Sequence, residues 1–208
     1  MTFTLVKENA AQICIDSHAA DYKGLKHVAK ILAGDILTVT GKEPEIVEQI
    51  QNVPQIVAAT KGTSDILAKW EEEKKIDLSV LEGKREVFMV QLIEEDGAEK
   101  LVIVGTETIA TLYGLYYISE NIGVSPWVYW ADVGPAPKKE IVFDKSICTV
   151  SKEPSVRYRG FFMNDEWPSL GNFVMHTFGD FNEFFYEKVF DLLLRLKGNY
   201  FWPAMWSA

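Results

Sequence analysis

Asn164, Asp165 and Glu166 place one amide and two carboxyl groups directly after a run of apolar residues. Carboxyl groups can act as general acids or bases, and carboxyl and amide groups both hydrogen-bond to ligand hydroxyls. Asp165 and Glu166 are adjacent, so on a strand their side chains point to opposite faces. This spacing argues against a catalytic acid–base pair and favours ligand binding. The alternative is a hydrogen-bonded cluster that caps the following loop.

Three tryptophans accompany these polar residues. Trp167 directly follows Glu166, and Trp202 and Trp206 stand in the next apolar run, which begins at Asn199. A tryptophan offers a large flat surface against which an apolar ligand face can pack. We expect Trp167, Trp202 and Trp206 to form walls of a binding pocket.

The residues from 156 onward predict a strand, a helix and a second strand. The first strand covers 156–164, and a loop rich in Gly, Asn and aromatic residues runs to Gly179. Asp180 and Glu183 have capping-box spacing before an apolar helix that Gly198 ends. Two strands joined by a helix form a parallel crossover. The carboxyl end of each predicted strand carries the candidate ligand-binding residues.

This crossover predicts a (β/α)8 barrel that the sequence does not complete. Such a barrel takes about 250 residues, whereas 53 residues follow Ser155 (208 − 155). Two strands and one helix cannot cover the apolar surface that these residues present. We therefore expect the chain to be the N-terminal piece of a longer protein.

The first 153 residues alternate between strand and helix patterns. Strands are predicted at 11–17, 55–59, 86–93 and 100–105, with helices from Tyr22 to Gly41, from Asp65 to Trp70, and after Gly105 to Gly123. Asp96 and Gly97 predict a hairpin turn, and Thr63 or Ser64 could cap the second helix. Gly105 stands alone where a dinucleotide-binding loop needs three glycines, so a nucleotide site is disfavoured.

The expected fold class is α/β. Residues 1–153 are predicted to form an N-terminal mixed α/β domain. Residues 154–208 are predicted to form the first β-α-β unit of a truncated (β/α)8 barrel. Trp127 and Trp130 are expected to pack these two domains together, and Trp70 is expected to pack its own helix.

Composition excludes several classes of function. The formal net charge is −9, which disfavours binding to nucleic acid and to anionic membrane surfaces. Cys14 and Cys148 are too few for a disulfide framework or a zinc site, so free thiols are expected. No apolar run is long enough to span a membrane, and the N-terminus lacks a signal-peptide pattern. A cytoplasmic protein is expected, or a secreted one whose signal was removed.

Several runs resemble glycoside hydrolase family 115, the xylan α-1,2-glucuronidases. They are RYRGFFMNDEW at 157–167, FFYEKVF at 184–190, LRLKGNYFWPAMW at 194–206 and TLYGLYYISENIGVSPWVYWADV at 111–133. The resemblance covers nearly the whole chain and is strongest from Leu101 onward.

The resemblance implies an α/β domain that precedes a catalytic barrel, and inverting hydrolysis that removes glucuronate or its 4-O-methyl ether from xylan. It implies no cofactor and no metal. The expected partner is xylan or a glucuronoxylo-oligosaccharide, and a homodimer of the full-length protein stays open. The general acid and base are expected beyond residue 208, so that this chain alone is inactive.

By the same resemblance, Asn164, Asp165 and Glu166 would hydrogen-bond to sugar hydroxyls, with Asp165 orienting a catalytic group. Arg159 shares strand parity with Asp165 but would lie too deep to reach a sugar at the barrel mouth, so a structural ion pair is expected. The alternative function is a non-catalytic carbohydrate-binding or interaction domain.

Overall fold

A computed structural model describes residues 2–164 and 166–203 of the chain. The Cα positions separate into two compact units. The first comprises Met1–Ser125 and Gly134–Pro154, and the second comprises Pro126–Val133 and Ser155–Ala208. The later break falls one residue after the predicted boundary. The segment Pro126–Val133, which the sequence assigns to the first domain, groups with the second unit.

The first unit is a mixed α/β fold. Its strands are β1 (Phe3–Val6), β2 (Gln12–Ile15), β3 (Ile46–Val47), β4 (Gln55–Thr60), β5 (Phe88–Glu95), β6 (Ala98–Gly105), β7 (Ile141–Phe143) and β8 (Thr149–Val150), and its helices are α1 (Tyr22–Thr40), α2 (Asp65–Glu72) and α3 (Thr108–Ile122). The main sheet has the order β3-β2-β4-β6-β5-β8. Strands β3, β2, β4 and β6 are parallel, and β5 runs antiparallel to β6 and β8. Strand β1 pairs with β7.

The sequence patterns of this unit produce the expected elements. Helix α1 buries the apolar residues predicted for its inner face and ends before Gly41. Strands β5 and β6 form the predicted hairpin, in which Asp96 and Gly97 both take positive φ angles of 51° and 79°. Two positive φ angles are what a type I′ turn requires.

The side chain at the N-cap of α2 has an unexpected hydrogen-bond partner. Ser64 occupies the N-cap position, but its hydroxyl makes no cap hydrogen bond with the helix. It donates instead to Asp16 Oδ2, at 3.1 Å, directly after β2. The serine therefore ties the ends of two parallel strands together.

Glu95 at the end of β5 is the buried centre of an ion cluster with two more exposed lysines. Its side chain is only 3% exposed, and Lys69 Nζ donates to its Oε1 at 2.8 Å. Lys75 donates to the other carboxylate oxygen. Burial raises the pKa of Glu95, but the hydrogen bonds from the two lysines outweigh it and hold the pKa at about 2, below the ordinary 4.5. Trp70, on the same helix as Lys69, is buried in the core as expected.

The second unit is a helix-covered pair of parallel strands. It contains β9 (Gly160–Met163), α4 (Ser169–Phe178), α5 (Glu183–Arg195) and β10 (Tyr200–Pro203). The predicted parallel pairing is present, with Gly160 opposite Tyr200 and Met163 opposite Pro203. Strand β9 begins at Gly160, four residues later than predicted.

Two predictions for the segment between these strands are wrong. The residues expected to form a loop up to Gly179 instead contain α4, whose buried residues are Gly171 and Val174. The cap of α5 is Asn182 and not Asp180: its side chain accepts hydrogen bonds from the backbone N–H groups of Phe184 and Phe185. Asp180 accepts from the N–H of Phe181, so it stabilises the preceding turn.

Helix α5 ends differently from the prediction as well. The left-handed residue is Lys197, with φ 57°, and not Gly198. The N–H groups of Lys197 and Gly198 donate to the carbonyls of Leu194 and Leu193, which is the Schellman pattern. Gly198 is needed for close approach, because a Cβ there would lie 2.4 Å from Leu193 Cδ1 and 3.1 Å from Arg159 O.

Candidate functional site

The candidate site lies on the two-stranded sheet of the second unit. Tyr200, Phe201, Trp202 and Pro203 pair in register with Gly160, Phe161, Phe162 and Met163. A Cβ on Gly160 would lie 1.5 Å from Tyr200 O, so only glycine permits this pairing. Of the predicted ligand-binding residues, Trp202 lies near the C-terminal end of β10, and Asn164 directly follows β9.

One face of this sheet is covered by helices. Phe161, Met163 and Phe201 pack against a buried cluster formed by Val174, Phe185 and Val189. Phe201 meets Phe190 of α5 edge to face, with 5.7 Å between ring centroids. This covered face belongs to the core of the second unit.

The opposite face, here called the uncovered face, carries exposed aromatic rings. Phe162 and Trp202 are 57% and 56% exposed. Their rings meet edge to face at 6.1 Å. Tyr200, on the same face as Trp202, packs against Tyr158 at 5.7 Å. These rings form an apolar surface on the side of the sheet away from α5.

Asn164 follows β9 and is exposed. Because side chains alternate along a strand, Asn164 shares the parity of Phe162 and so the uncovered face. Asn164 is therefore placed on the same face as Phe162 and Trp202. Phe162 is absent from the sequence-based prediction, although its position two residues before Asn164 is a sequence signal for the same strand face. Asp165 and Trp206 lie outside the described residues.

Glu166 and Trp167 lie directly before the N-cap of α4, which is Pro168. The Trp167 ring packs so closely against Gly171 that a Cβ at position 171 would lie 2.4 Å from it. The ring centroids of Trp167 and Phe181 are 6.2 Å apart. Glu166 is exposed, and its carbonyl accepts from the N–H of Gly171 at 3.1 Å. Trp167 is still 60% exposed, so one side of the indole faces solvent.

Arg159 hydrogen-bonds to backbone carbonyls at the start of the strand pair. Its Nε donates to the carbonyl of Lys197 and its Nη1 to that of Val156, both at 3.1 Å. It shares the parity of Phe161 and Met163, which point to the covered face. Arg159 therefore fixes the start of the strand pair instead of facing the uncovered side.

Trp130 packs inside the second unit. Its indole Nε1 donates to the carbonyl of Lys188 at 3.1 Å, and its ring meets Phe185 at 6.3 Å. With Trp127 it lines an apolar cavity of about 480 Å³ next to Phe161, Met163, Leu170, Val189 and Leu192.

The remaining chemistry of the chain is sparse. Cys14 and Cys148 are free thiols, and burial raises the pKa of Cys14 to about 12. Among residues 2–164 and 166–203, no group of three or more His, Cys, Asp or Glu side chains could hold a metal ion. No helix in that part of the chain is long and apolar enough to cross a membrane.

Comparison with known proteins identifies the family. The model of glycosyl hydrolase family 115 matches residues 151–208. The solved structure of a family 115 4-O-methyl-α-glucuronidase, BtGH115A, superimposes on 98% of this chain with a TM-score of 0.80 and 34% sequence identity. The chain corresponds to the N-terminal portion of a family 115 glycoside hydrolase. It spans only 26% of the length of BtGH115A.

Two further comparisons add nothing to the family 115 assignment. The structure of CpGH84D matches 78% of this chain and 23% of its own at 12% identity, with a TM-score of 0.46, and carries no conclusion. No curated protein matches the sequence significantly. The resemblance that the aromatic runs predict is thus confirmed by the family model and by BtGH115A.

Proposed function

We propose that this chain is the N-terminal part of an enzyme that removes glucuronate or 4-O-methyl-glucuronate side chains from a polysaccharide. The observation that carries the proposal is the 34% identity to BtGH115A, described as a 4-O-methyl-α-glucuronidase, over 98% of this chain. The enzyme needs no cofactor in this proposal. Its acid and base lie beyond residue 208, so the isolated chain is inactive.

The second unit begins the catalytic barrel in this proposal. Its parallel strands, with helices on one face and exposed rings on the other, match the local geometry of a (β/α)8 barrel. In such barrels the helices lie outside, and ligand-binding residues cluster at the C-terminal ends of the strands. Asn164 and Trp202 stand at those ends.

The present residues bind the sugar, and later residues perform the chemistry. Inverting hydrolysis uses two carboxyl groups about 6.5–9.5 Å apart, with a water molecule between one of them and the sugar. Adjacent residues such as Asp165 and Glu166 do not provide that arrangement on a strand. Asn164, Asp165 and Glu166 hydrogen-bond to sugar hydroxyls, and Trp167, Trp202 and Trp206 pack against sugar rings. Asp165 also orients a catalytic group from a later strand.

The proposed substrate is xylan that carries glucuronate side chains. A second candidate is a glucuronate-bearing arabinogalactan, because BtGH115A is described as having specificity for decorated arabinogalactans. The bond that is hydrolysed belongs to the glucuronate in both cases, and the neutral backbone differs.

Both polymers serve as substrates in the test. The full-length enzyme and the 208-residue chain are incubated with each, and released uronate is measured, with NMR following the anomer formed first. We expect turnover by the full-length enzyme only, with inversion. Turnover by the 208-residue chain would refute the placement of the acid and base, and polysaccharide binding without turnover by either protein would favour a non-catalytic binding domain.

A further inference from the structure

We propose that the second unit carries an additional binding surface for the neutral sugar backbone of the polysaccharide. The surface is a depression of about 660 Å³, lined by residues of the segment Pro126–Val133 and of α4. We call it the aromatic depression. It rests on the proposed function, because that function supplies the polysaccharide.

Trp130 forms the fixed floor of the aromatic depression. Its Nε1 is held by the carbonyl of Lys188 at 3.1 Å. Its ring lies 6.1 Å from that of Phe173 and 6.3 Å from that of Phe185. A ring held on several sides loses little further freedom when a ligand binds, which favours affinity.

The rings of Tyr129 and Phe173 line the aromatic depression and are partly exposed to solvent. Tyr129 meets Trp130 edge to face at 5.2 Å and is 38% exposed. Lys188 Nζ lies 5.7 Å from the centre of the Tyr129 ring, which steadies the ring further. Phe173 is 40% exposed. Pyranose rings present apolar C–H faces that stack on such aromatic rings, so successive sugars of a backbone fit this surface.

The polar lining decides which sugar the depression accepts. Asp132 is exposed and makes no hydrogen bond or ion pair with any other described residue, and Ser169 lines the same depression. A carboxylate accepts strong hydrogen bonds from sugar hydroxyls and repels a uronate carboxylate. The depression therefore takes neutral backbone sugars and leaves the glucuronate to the catalytic site. The neighbouring apolar cavity has no charged side chain in its lining and does not offer this chemistry.

The test separates polymer binding from catalysis. Tyr129→Ala and Asp132→Asn are made in the full-length enzyme, with Phe184→Ala as control, since Phe184 is an exposed aromatic of the same unit outside the depression. Each protein is run in native gels that contain xylan or arabinogalactan stripped of glucuronate. We expect binding about five-fold weaker for the two depression variants, with Phe184→Ala unchanged.

Kinetics provide the second measurement. KM for the decorated polymer should rise by about the same factor in Tyr129→Ala, while kcat and all constants for a short glucuronate-bearing oligosaccharide stay unchanged. The proposed binding role of the aromatic depression would be wrong if neither stripped polymer retards the wild-type enzyme in the gel. It would also be wrong if wild type and all folded variants are retarded equally. Absence of glucuronidase activity from every protein would overturn the proposed function instead, and the gels would still test binding.

Discussion

The indole of Trp202 meets the ring of Phe162 edge to face, with 6.1 Å between the ring centroids and an angle of 88° between the planes. The two residues are register partners on neighbouring parallel strands. Both stand near the C-terminal ends of their strands, where barrel enzymes bind their ligands. The pair is therefore an exposed aromatic surface at the ends of these strands.

Replacement of Trp202 should weaken substrate binding. In the full-length enzyme, Trp202→Ala is expected to lower kcat/KM on the decorated polysaccharide about ten-fold, because a stacking surface is lost. Trp202→Phe should retain most of the activity. Steady-state kinetics with parallel thermal melts measure this, and unchanged kinetics in a normally melting Trp202→Ala protein would contradict it.

Asp165 is expected to matter more than any aromatic residue of the site. Asp165→Ala in the full-length enzyme should reduce kcat/KM by about 10²-fold or more, because a group that orients catalysis is lost. Asp165→Asn, which keeps the shape and loses the charge, shows whether the carboxylate itself is required. Near-normal rates in both variants would leave Asp165 a structural role only.

Gly160→Ala should destabilise the second unit. The added methyl group would lie 1.5 Å from Tyr200 O, so the two strands must separate. We expect a loss of about 1–3 kcal/mol or more in the free energy of unfolding. The matched control is Gly34→Ala in α1, where nothing lies within 4 Å. That change should stabilise by about 1 kcal/mol, since alanine favours helix. Equal denaturant midpoints for the two variants would contradict this account.

The Glu95 cluster should make stability depend on pH in acid. The pKa of Glu95 is about 2 in the folded protein against an ordinary 4.5. Because the folded-state pKa is lowered, the stabilisation is present above pH 4.5 and is lost as the pH falls toward 2.

Glu95→Gln tests this dependence. We expect the variant to be less stable than wild type by about 1–2 kcal/mol near pH 7, because solvent screens the exposed lysine partners, with a difference that shrinks as the pH falls. Urea denaturation across that range measures the difference. Glu71→Gln, at an exposed position of α2, is the control. A Glu95→Gln deficit that stays constant down to pH 2 would contradict the assigned pKa.

The elements of the first unit could be predicted from the sequence because the signals that specify them are local. Apolar spacing places α1, and Asp96 with Gly97 sets the hairpin turn. Each signal depends on neighbours within a few residues. The cap of α2 is the exception, because Ser64 bonds to Asp16, which is 48 residues earlier in the chain. No local pattern reveals such a partner.

The second unit was harder to predict for two physical reasons. Helix α4 begins at a residue without a side-chain cap and contains Gly171, which the Trp167 ring requires by its close packing. Phe161, Phe162 and Met163 are all apolar, so alternation cannot say which of them points to the helices. The packing of Phe161 and Met163 against the Phe185 cluster decides it, and that contact spans more than twenty residues.

The bonds between the starts of β9 and β10 have a consequence for how this region can change. Asn199 accepts from the N–H of Arg159 and donates to the carbonyl of Arg157, at 2.9 and 2.8 Å. The register of the two strands is thus set by the residues directly before each strand, independently of the path between them. Insertions in the turn between α4 and α5 would alter its length and leave Trp202 opposite Phe162. Evolution can therefore remodel that connection without displacing the rings of the uncovered face.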